Sequence, residues 1–289
     1  MSWEVYRLVL RLHTPLHIGR GNISYLQRSY PYVTGRVLRG ALVSRVARNQ
    51  NIIGERKDDP YSSVSKTFAQ YLTFTYFYPA LKTKDDWVAE FPWNDNDGFQ
   101  RRYLSSYTGT ALDYPQQSAA EGLLREVEFI SPHTLDTGEP VYLMGYIFID
   151  EGRLKQDKYD WMGGFKRLQL GGERGYGWGE TRLIDQGIQH ISSNDKLFGI
   201  ICFNLDSKRP IVCLEENQPV LAHTGIKVRC IAGNVEPIVG REWRADKGKH
   251  IGQHLPFDGL YFEPGSKVLC KTDFIIAEGG YWSHVRNLQ

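Results

Sequence analysis

The stretch LQLGGERGYGWGETRL, Leu168 to Leu183, carries five glycines within nine residues: Gly171, Gly172, Gly175, Gly177 and Gly179. A chain that gives up so many side chains, then resumes a strand-like run at Thr181, has a backbone reason for doing so. The run is not a P-loop, because no Gly-Lys-Ser/Thr follows. Nor is it a dinucleotide fingerprint, which follows a strand and opens a helix; these glycines precede a strand. Two readings remain. One is a glycine-rich hairpin with a structural role alone. The other notes that Gly175, Gly177 and Gly179 are spaced by two and share one face of an extended backbone. A bare face lets a polymer lie directly on the main chain, with N–H groups donating to phosphates. Arg174 adds charge there, and Tyr176 and Trp178 fall on the opposite side as packing anchors.

The composition is that of a globular chain, with 41% hydrophobic and 24% charged residues. Frequent Ile, Val, Tyr and Phe, with scattered Gly and Pro, favour a strand-rich fold. No apolar run approaches the roughly 18 residues that span a bilayer. The start, MSWEVYRLVLRLHTP, has no signal-peptide core. The expected location is therefore cytoplasmic, with no membrane contact. Cys202, Cys213, Cys230 and Cys270 are widely spaced and form no CxxC pair, so they read as reduced core residues. No metal or other cofactor is expected.

The net charge of +2 hides an asymmetry. Residues 1–50 hold arginines 7, 11, 20, 28, 36, 39, 45 and 48 against one acid, Glu4: +7 there, and −5 over the remainder. That suggests a localised polyanion site. Arginine suits bidentate phosphate contacts and base stacking.

Along the chain, Trp3 to Leu12 alternates as a strand. Tyr6, Leu8, Leu10 and Leu12 share one face; Val5, Arg7, Val9 and Arg11 share a mixed, basic one. A polar, arginine-bearing loop follows. Thr34 caps a helix over about Arg36–Arg48, with Val37, Leu38, Ala41, Leu42 and Val46 as its apolar stripe. Gly40 inside that helix suggests a close-packing contact. Residues 49–63 read as loop, and FAQYLTFTYFYPAL as a short helix entering a strand. Residues 82–120 lack periodicity and read as a long insertion or mobile loop. Its segment Asp85–Asp97 holds five acids and no cation, which makes a poor nucleic-acid surface. Strands are expected at Leu123–Ile130 and Pro140–Ile149, with a turn at 136–138. A loop and short helix should span Gly152–Phe165. Further strands are expected at Leu197–Asn204, Ile226–Ala232 and Lys267–Ala277. A basic stretch, GREWRADKGKH, runs from Gly240 to His250. Two βαβ-like units on either side of about residue 190 suggest a weak internal duplication.

Three segments together resemble the RAMP superfamily of CRISPR-associated RNA-binding proteins: LHIGRG (Leu16–Gly21), PYVTGRVLRGAL (Pro31–Leu42) and LGGERGYGWGE (Leu170–Glu180). The second is similar to the family's opening of its first helix, through Tyr32, Gly35, Leu38, Arg39 and Gly40. Thr34 stands where proline is common, and Arg36 where a small polar residue is usual. FAQYLTFTYFYPAL and EVEFISPHTLDTGEPVYLMGYIF resemble the Cas-five-type handle-capping subunit of type III-D effector complexes. The resemblance implies an α+β, ferredoxin-like or RNA-recognition-motif fold, with one complete copy and a second partial or degenerate one. Residues 1–190 would be the first domain, with an insertion near 82–120. Residues 191–289 would be a β-rich or second ferredoxin-like domain. The implied role is to hold the five-prime repeat tag of the guide RNA (crRNA). The implied partners are that RNA, a large polymerase-like subunit and backbone RAMP subunits. The RNA-contact residues would be Arg20, Arg28, Arg36 and Arg39 with the helix N-terminus, and Gly171, Gly172, Arg174, Gly175, Gly177 and Gly179.

Backbone subunits of type III complexes share these motifs and cut target RNA with an aspartate in the loop before the first helix. Here that loop, IGRGNISYLQRSYPYVTG, contains no acid, so no carboxylate can recruit a divalent metal. A non-cleaving subunit is expected. The enzymatic rival is a guide-processing RAMP endoribonuclease, which uses histidine as acid or base with the RNA's own 2′-hydroxyl. His13 and His17 could serve, whereas His250, His254 and His284 are expected in loops and belong to no recognisable catalytic motif. A Cas-seven-like backbone subunit and a free-standing single-strand RNA binder are further alternatives.

Overall fold

The computed structural model describes residues 3–49, 60–115, 118–156, 159–239 and 257–285. Alternation at the start does produce a strand, β1 (Trp3–Leu12). Then come β2 (Gly19–Ile23), β3 (Leu26–Ser29), α1 (Gly35–Asn49), α2 (Pro60–Tyr71), β4 (Leu72–Phe74), β5 (Tyr78–Lys82) and β6 (Trp87–Ala89). Next are α3 (Asn96–Tyr103), β7 (Leu104–Gly109), β8 (Leu112–Asp113), β9 (Ser118–Ala119), β10 (Arg125–Ile130), β11 (Tyr142–Asp150), α4 (Glu151–Gln156) and α5 (Trp161–Phe165). β12 (Leu168–Gln169) and β13 (Glu180–Ile191) flank the glycine run. The rest is β14 (Cys202–Asn204), β15 (Ile211–Leu214), β16 (Thr224–Gly225), β17 (Ile231–Ala232), β18 (Val235–Val239), β19 (Phe257–Phe262), β20 (Lys267–Val268), β21 (Thr272–Ile276) and β22 (Trp282–His284).

The main sheet runs β12-β13-β1-β11-β5-β6, with β4 also on β11. All its pairings are antiparallel. Taken in chain order, its principal strands stand fourth-first-third-second. α1 and α2 link first to second, and α4 and α5 link third to fourth, a βαββαβ connection. A small sheet, β2-β3-β10-β7, stands beside it, and a third sheet runs β14-β15-β21-β22-β16-β19-β18. The fold is thus α+β with several sheets and few helices. No helix among the described residues is long and apolar enough to cross a membrane.

One hydrophobic cluster extends from Trp3 to Trp282 and joins the main and third sheets. FAQYLTFTYFYPAL supplies its centre: Phe68, Phe74, Tyr76, Phe77 and Tyr78 are fully buried. Each contributes on the order of 1.5–3 kcal/mol relative to exposure. The helix-into-strand reading of this run holds, as α2 followed by β4 and β5.

Several expectations need correction. Residues 82–120 are not a bare loop, since β6, α3, β7, β8 and β9 lie there. Asp95 caps α3 by accepting the Gly98 N–H at 3.0 Å, and Phe99 and Tyr103, one turn apart, are buried. Two apolar positions in a polar helix give no visible period, and β7 owes its extended form to pairing with β10. Within 49–63, Pro60 opens α2, as suits proline at a first helical position; residues 50–59 lie outside the described residues. Only Cys202–Asn204 of the strand expected at 197–204 forms, because Leu197 turns back to bond Ile201. Ile226–Ala232 shortens to Ile231–Ala232, and Lys267–Ala277 splits into β20 and β21. No α-helix occurs among the described residues after Ile191, so the second βαβ unit is not found there. GREWRADKGKH, His250 and His254 lie outside the described residues.

Gly40 is also corrected. No atom lies within 4 Å of where its Cβ would stand. The close contact falls at Gly35 instead, whose Cβ would come within 2.8 Å of the Gly279 carbonyl and 2.9 Å of Gly280 Cα. The sequence could not show a partner so distant along the chain. Gly40→Ala should therefore stabilise the protein by about 0.5–1 kcal/mol. Gly35→Ala should destabilise it by about 1–3 kcal/mol. Urea unfolding measures both; an equal sign for the two would refute this packing.

Candidate functional site

The glycine run is the connection of a hairpin. Leu168 pairs with Thr181 and Gln169 with Glu180. The connection is not extended, so Gly175, Gly177 and Gly179 do not share a strand face. Arg174–Tyr176 forms one 3₁₀ turn, flanked by Glu173 (φ 54°) and Gly177 (φ 81°) in the left-handed region.

The glycines divide by what surrounds them. At Gly171 a Cβ would strike the His17 carbonyl, and at Gly179 that of Leu170. A Cβ on Gly172 would lie 3.2 Å from the His17 ring. Here glycine permits backbone to lie on backbone: Gly172 donates to the His17 carbonyl at 2.9 Å and Gly179 to that of Pro15 at 2.8 Å. The hairpin is thereby locked to the loop leaving β1. At Gly175 and Gly177 the space is open, and both are exposed. Gln169 Nε2 holds the turn from within, donating to the carbonyls of Arg174 (2.9 Å) and Trp178 (3.1 Å). Arg174 Nε donates to the Gly171 carbonyl at 2.9 Å.

The turn docks on the small sheet. Tyr107 on β7 stands opposite Val127 on β10, so Tyr107, Arg125, Val127 and Phe129 share a face. Trp178 packs edge-on against Phe129 (5.1 Å between centroids) and Tyr107 (6.3 Å). Arg125 pairs with Glu173 at 3.3 Å and lies 5.1 Å over the Tyr176 ring. Trp178 is thus a packing anchor, as expected, whereas Tyr176, expected as a second anchor, is left on the surface. Tyr176 stays 72% exposed and Tyr107 59% exposed. Bare main chain, two exposed rings and the guanidiniums of Arg125 and Arg174 form one surface. Such a surface can stack bases and accept a phosphate backbone. Arg125 and Tyr107 escaped the sequence reading, because only the β7–β10 pairing brings them to the glycine turn.

The candidate histidines part company. His17 is buried, and its Nδ1 donates to the Glu128 carbonyl at 2.7 Å, since a carbonyl only accepts. It fastens the loop to β10. His13 is exposed at the end of β1; partial burial, then Arg182 and Arg11, holds its pKa below the ordinary value.

The N-terminal arginines are answered by carboxylates. Arg7 forms a bidentate pair with Asp86 (2.8 and 2.7 Å). Arg11 donates to the carbonyls of Pro132 and Val141, so the basic face of β1 is covered. Arg20 pairs with Glu236 at 3.1 Å and Glu263 at 2.7 Å, beside the third sheet. Arg28, on the small sheet, is 3.8 Å from Glu128. Arg39 pairs with Glu278. Arg36 lies beside the Gly279 turn, and that turn covers the N-terminus of α1. These four arginines do not gather into one pocket.

Arg20 also joins a buried network between the main and third sheets. His223 is buried, with Nδ1 2.7 Å from the Tyr76 hydroxyl and Nε2 2.6 Å from Glu236. Burial opposes charge on Glu236. His223 and Arg20 outweigh it and hold the carboxyl below its ordinary value. Among the described residues no group of three or more His, Cys, Asp or Glu could hold a metal ion.

A βαββαβ sheet with a glycine hairpin locked onto the loop after its first strand defines the class of protein. Residues 9–182, more than half of the chain, match the model of the RAMP superfamily, and the chain belongs to that superfamily. Among solved structures, one chain of the type III-B Cmr-beta complex bound to cognate target RNA and AMPPnP is similar at TM-score 0.49 and 14% identity. That likeness covers 91% of this chain and 85% of that one. A chain of apo Cmr-beta gives TM-score 0.41 and 10% identity over 65% of this chain and 97% of that one. Oligomeric Cmr4 from Pyrococcus furiosus gives 0.35 and 14% over 65% and 99%. No curated protein matches the sequence.

The junction network predicts a pH signature. Arg20→Gln should cost about 1–3 kcal/mol at neutral pH, because Glu236 loses a charged partner. A depressed carboxyl stabilises above its unfolded value and loses that contribution as pH falls through its folded value. The gap between parent and variant should thus be full above pH 4.5 and shrink below it. Urea unfolding across a pH series measures this; a gap constant with pH would remove Glu236 ionisation as its cause.

Proposed function

We propose that the chain is a non-catalytic RNA-binding subunit of a type III CRISPR effector complex, holding the five-prime repeat tag of the guide RNA. Its main sheet acts as a ferredoxin-like unit. Its partners are the guide, a large polymerase-like subunit and backbone RAMP subunits. Membership of the superfamily supports an RNA ligand. The observation that carries the reading is the hairpin surface: open main chain at Gly175 and Gly177, beside exposed Tyr176 and Tyr107 and the guanidiniums of Arg125 and Arg174. Bases stack on the rings while the backbone tracks the bare turn. Gly171, Gly172 and Gly179 act indirectly, by holding that turn on the His17 loop. Arg28, beside Glu128, stands on the opposite face of the small sheet from Tyr107 and Arg125 and so lies outside this surface. Arg20 and Arg39, engaged by carboxylates, serve structure, and Arg36 serves the α1 contact with the Gly279 turn. The acid-free loop after β1 supports binding without cleavage.

A second reading, a metal-independent endoribonuclease, has His13 in its favour. It is exposed and inclined to the neutral form, as a general base requires.

Gly175→Val meets nothing inside the protein, so the variant should keep its stability while guide-RNA affinity falls at least about tenfold. Arg174→Ala should lower the salt slope of binding by about 1. Tyr176→Ala should cost about 1–3 kcal/mol of binding. Filter binding across a salt series measures all three, and unchanged binding returns the hairpin to a structural role. Incubation with repeat RNA in EDTA separates the two readings: specific cleavage lost in His13→Ala would favour the enzyme.

A further inference from the structure

The four cysteines, distant in sequence, come together as two pairs. Cys202 and Cys213 are direct cross-strand partners in β14 and β15. Cys230 immediately precedes β17 and Cys270 lies two residues beyond β20, strands that pair with Ile231 opposite Val268. Leu269 N–H donates to the Cys230 carbonyl at 2.8 Å, and the Cys230 thiol hydrogen-bonds the Cys270 sulfur. Both cysteines are partly exposed and unbridged.

The two pairs differ in chemistry. Burial, followed by a hydrogen bond with Asp273, pushes the Cys213 thiol up to about 12, so it stays protonated. Hydrogen bonds from Cys230 and then Thr272 hold the Cys270 thiol below its ordinary value; the Thr272 hydroxyl is 3.6 Å from its sulfur. The thiolate is the reactive form, and a second thiol in contact can resolve the oxidised sulfur.

We propose that Cys230 and Cys270 form a hydroperoxide-sensitive dithiol that closes to a disulfide. The Cys270 thiolate attacks one oxygen of the hydroperoxide and the O–O bond breaks. Sulfur is oxidised by two electrons to a sulfenic acid, and the other oxygen leaves as hydroxide or alkoxide. The Cys230 sulfur then attacks the sulfenic sulfur and gives up its proton. The S–O bond breaks, water departs carrying that proton, and the S–S bond forms. The hydroperoxide is the oxidant and ends as water or alcohol. The bond ties together the two segments that carry Asn234, Lys267 and Leu269, one wall of a cleft of about 600 Å3. Trp93 and Asn96 stand among the residues of its other side. Oxidation thereby restrains that wall.

The test treats the reduced full-length protein with hydrogen peroxide at neutral pH and maps peptides without reduction. The expected product is one intramolecular Cys230–Cys270 disulfide, with Cys213 left as a free thiol. In Cys230→Ser, dimedone should label Cys270 as a trapped sulfenic acid. In Cys270→Ser, no disulfide to Cys230 should form. Iodoacetamide should modify Cys270 at least about tenfold faster than Cys213. The proposal is overturned by no disulfide, by a Cys202–Cys213 link alone, or by dimedone failing to label Cys270 in Cys230→Ser.

Discussion

The antiparallel pairing of β1 with β13 is the constraint on which the candidate surface depends. β1 leads directly into the loop of Pro15 and His17, and β12 and β13 carry the glycine hairpin. Once Leu10 lies beside Leu183 and Leu12 beside Thr181, that loop and the hairpin must occupy the same space. Only glycine lets two main chains approach so closely. Hence Gly171 and Gly179 lie against carbonyl groups, and Gly172 and Gly179 donate hydrogen bonds across the gap. The far end of the hairpin, freed of that contact, projects over β7 and β10 as a short fixed turn.

The second organising feature is charge compensation over long sequence distance. The arginine-rich first 50 residues look like a polyanion site when read as a string. Folded, Arg7, Arg20, Arg28 and Arg39 meet Asp86, Glu236, Glu263, Glu128 and Glu278. A half-buried guanidinium is costly without a carboxylate and modestly stabilising with one. Arg20 does more than neutralise charge. From the small sheet it grips Glu236 on the third sheet, and Glu236 in turn holds the buried His223, whose bond to Tyr76 reaches the main sheet. Positive charge remains available at Arg174 on the glycine turn, whose Nε donates to the Gly171 carbonyl. Arg125 combines an ion pair with a face-on contact to an exposed ring.

Much of the architecture was legible in the sequence because it is locally encoded. The period of Trp3–Leu12 yields β1, Thr34 precedes α1, and the aromatic run builds the core. The glycine cluster marked the hairpin, and Trp178 was rightly read as an anchor. α3 was missed because two buried rings among polar residues carry no usable period. The pairs Cys202–Cys213 and Cys230–Cys270 were missed because spacing along the chain says nothing of register between strands.

The sequence alone therefore determined the local elements, the aromatic core and the superfamily resemblance, since each is carried by period, composition or a short motif. Tertiary structure alone decided which arginines are engaged, which glycines are enclosed and which exposed, and which side chains frame the turn. These depend on contacts between residues as far apart as Arg20 and Glu263, and only strand pairing and sheet packing bring such residues together.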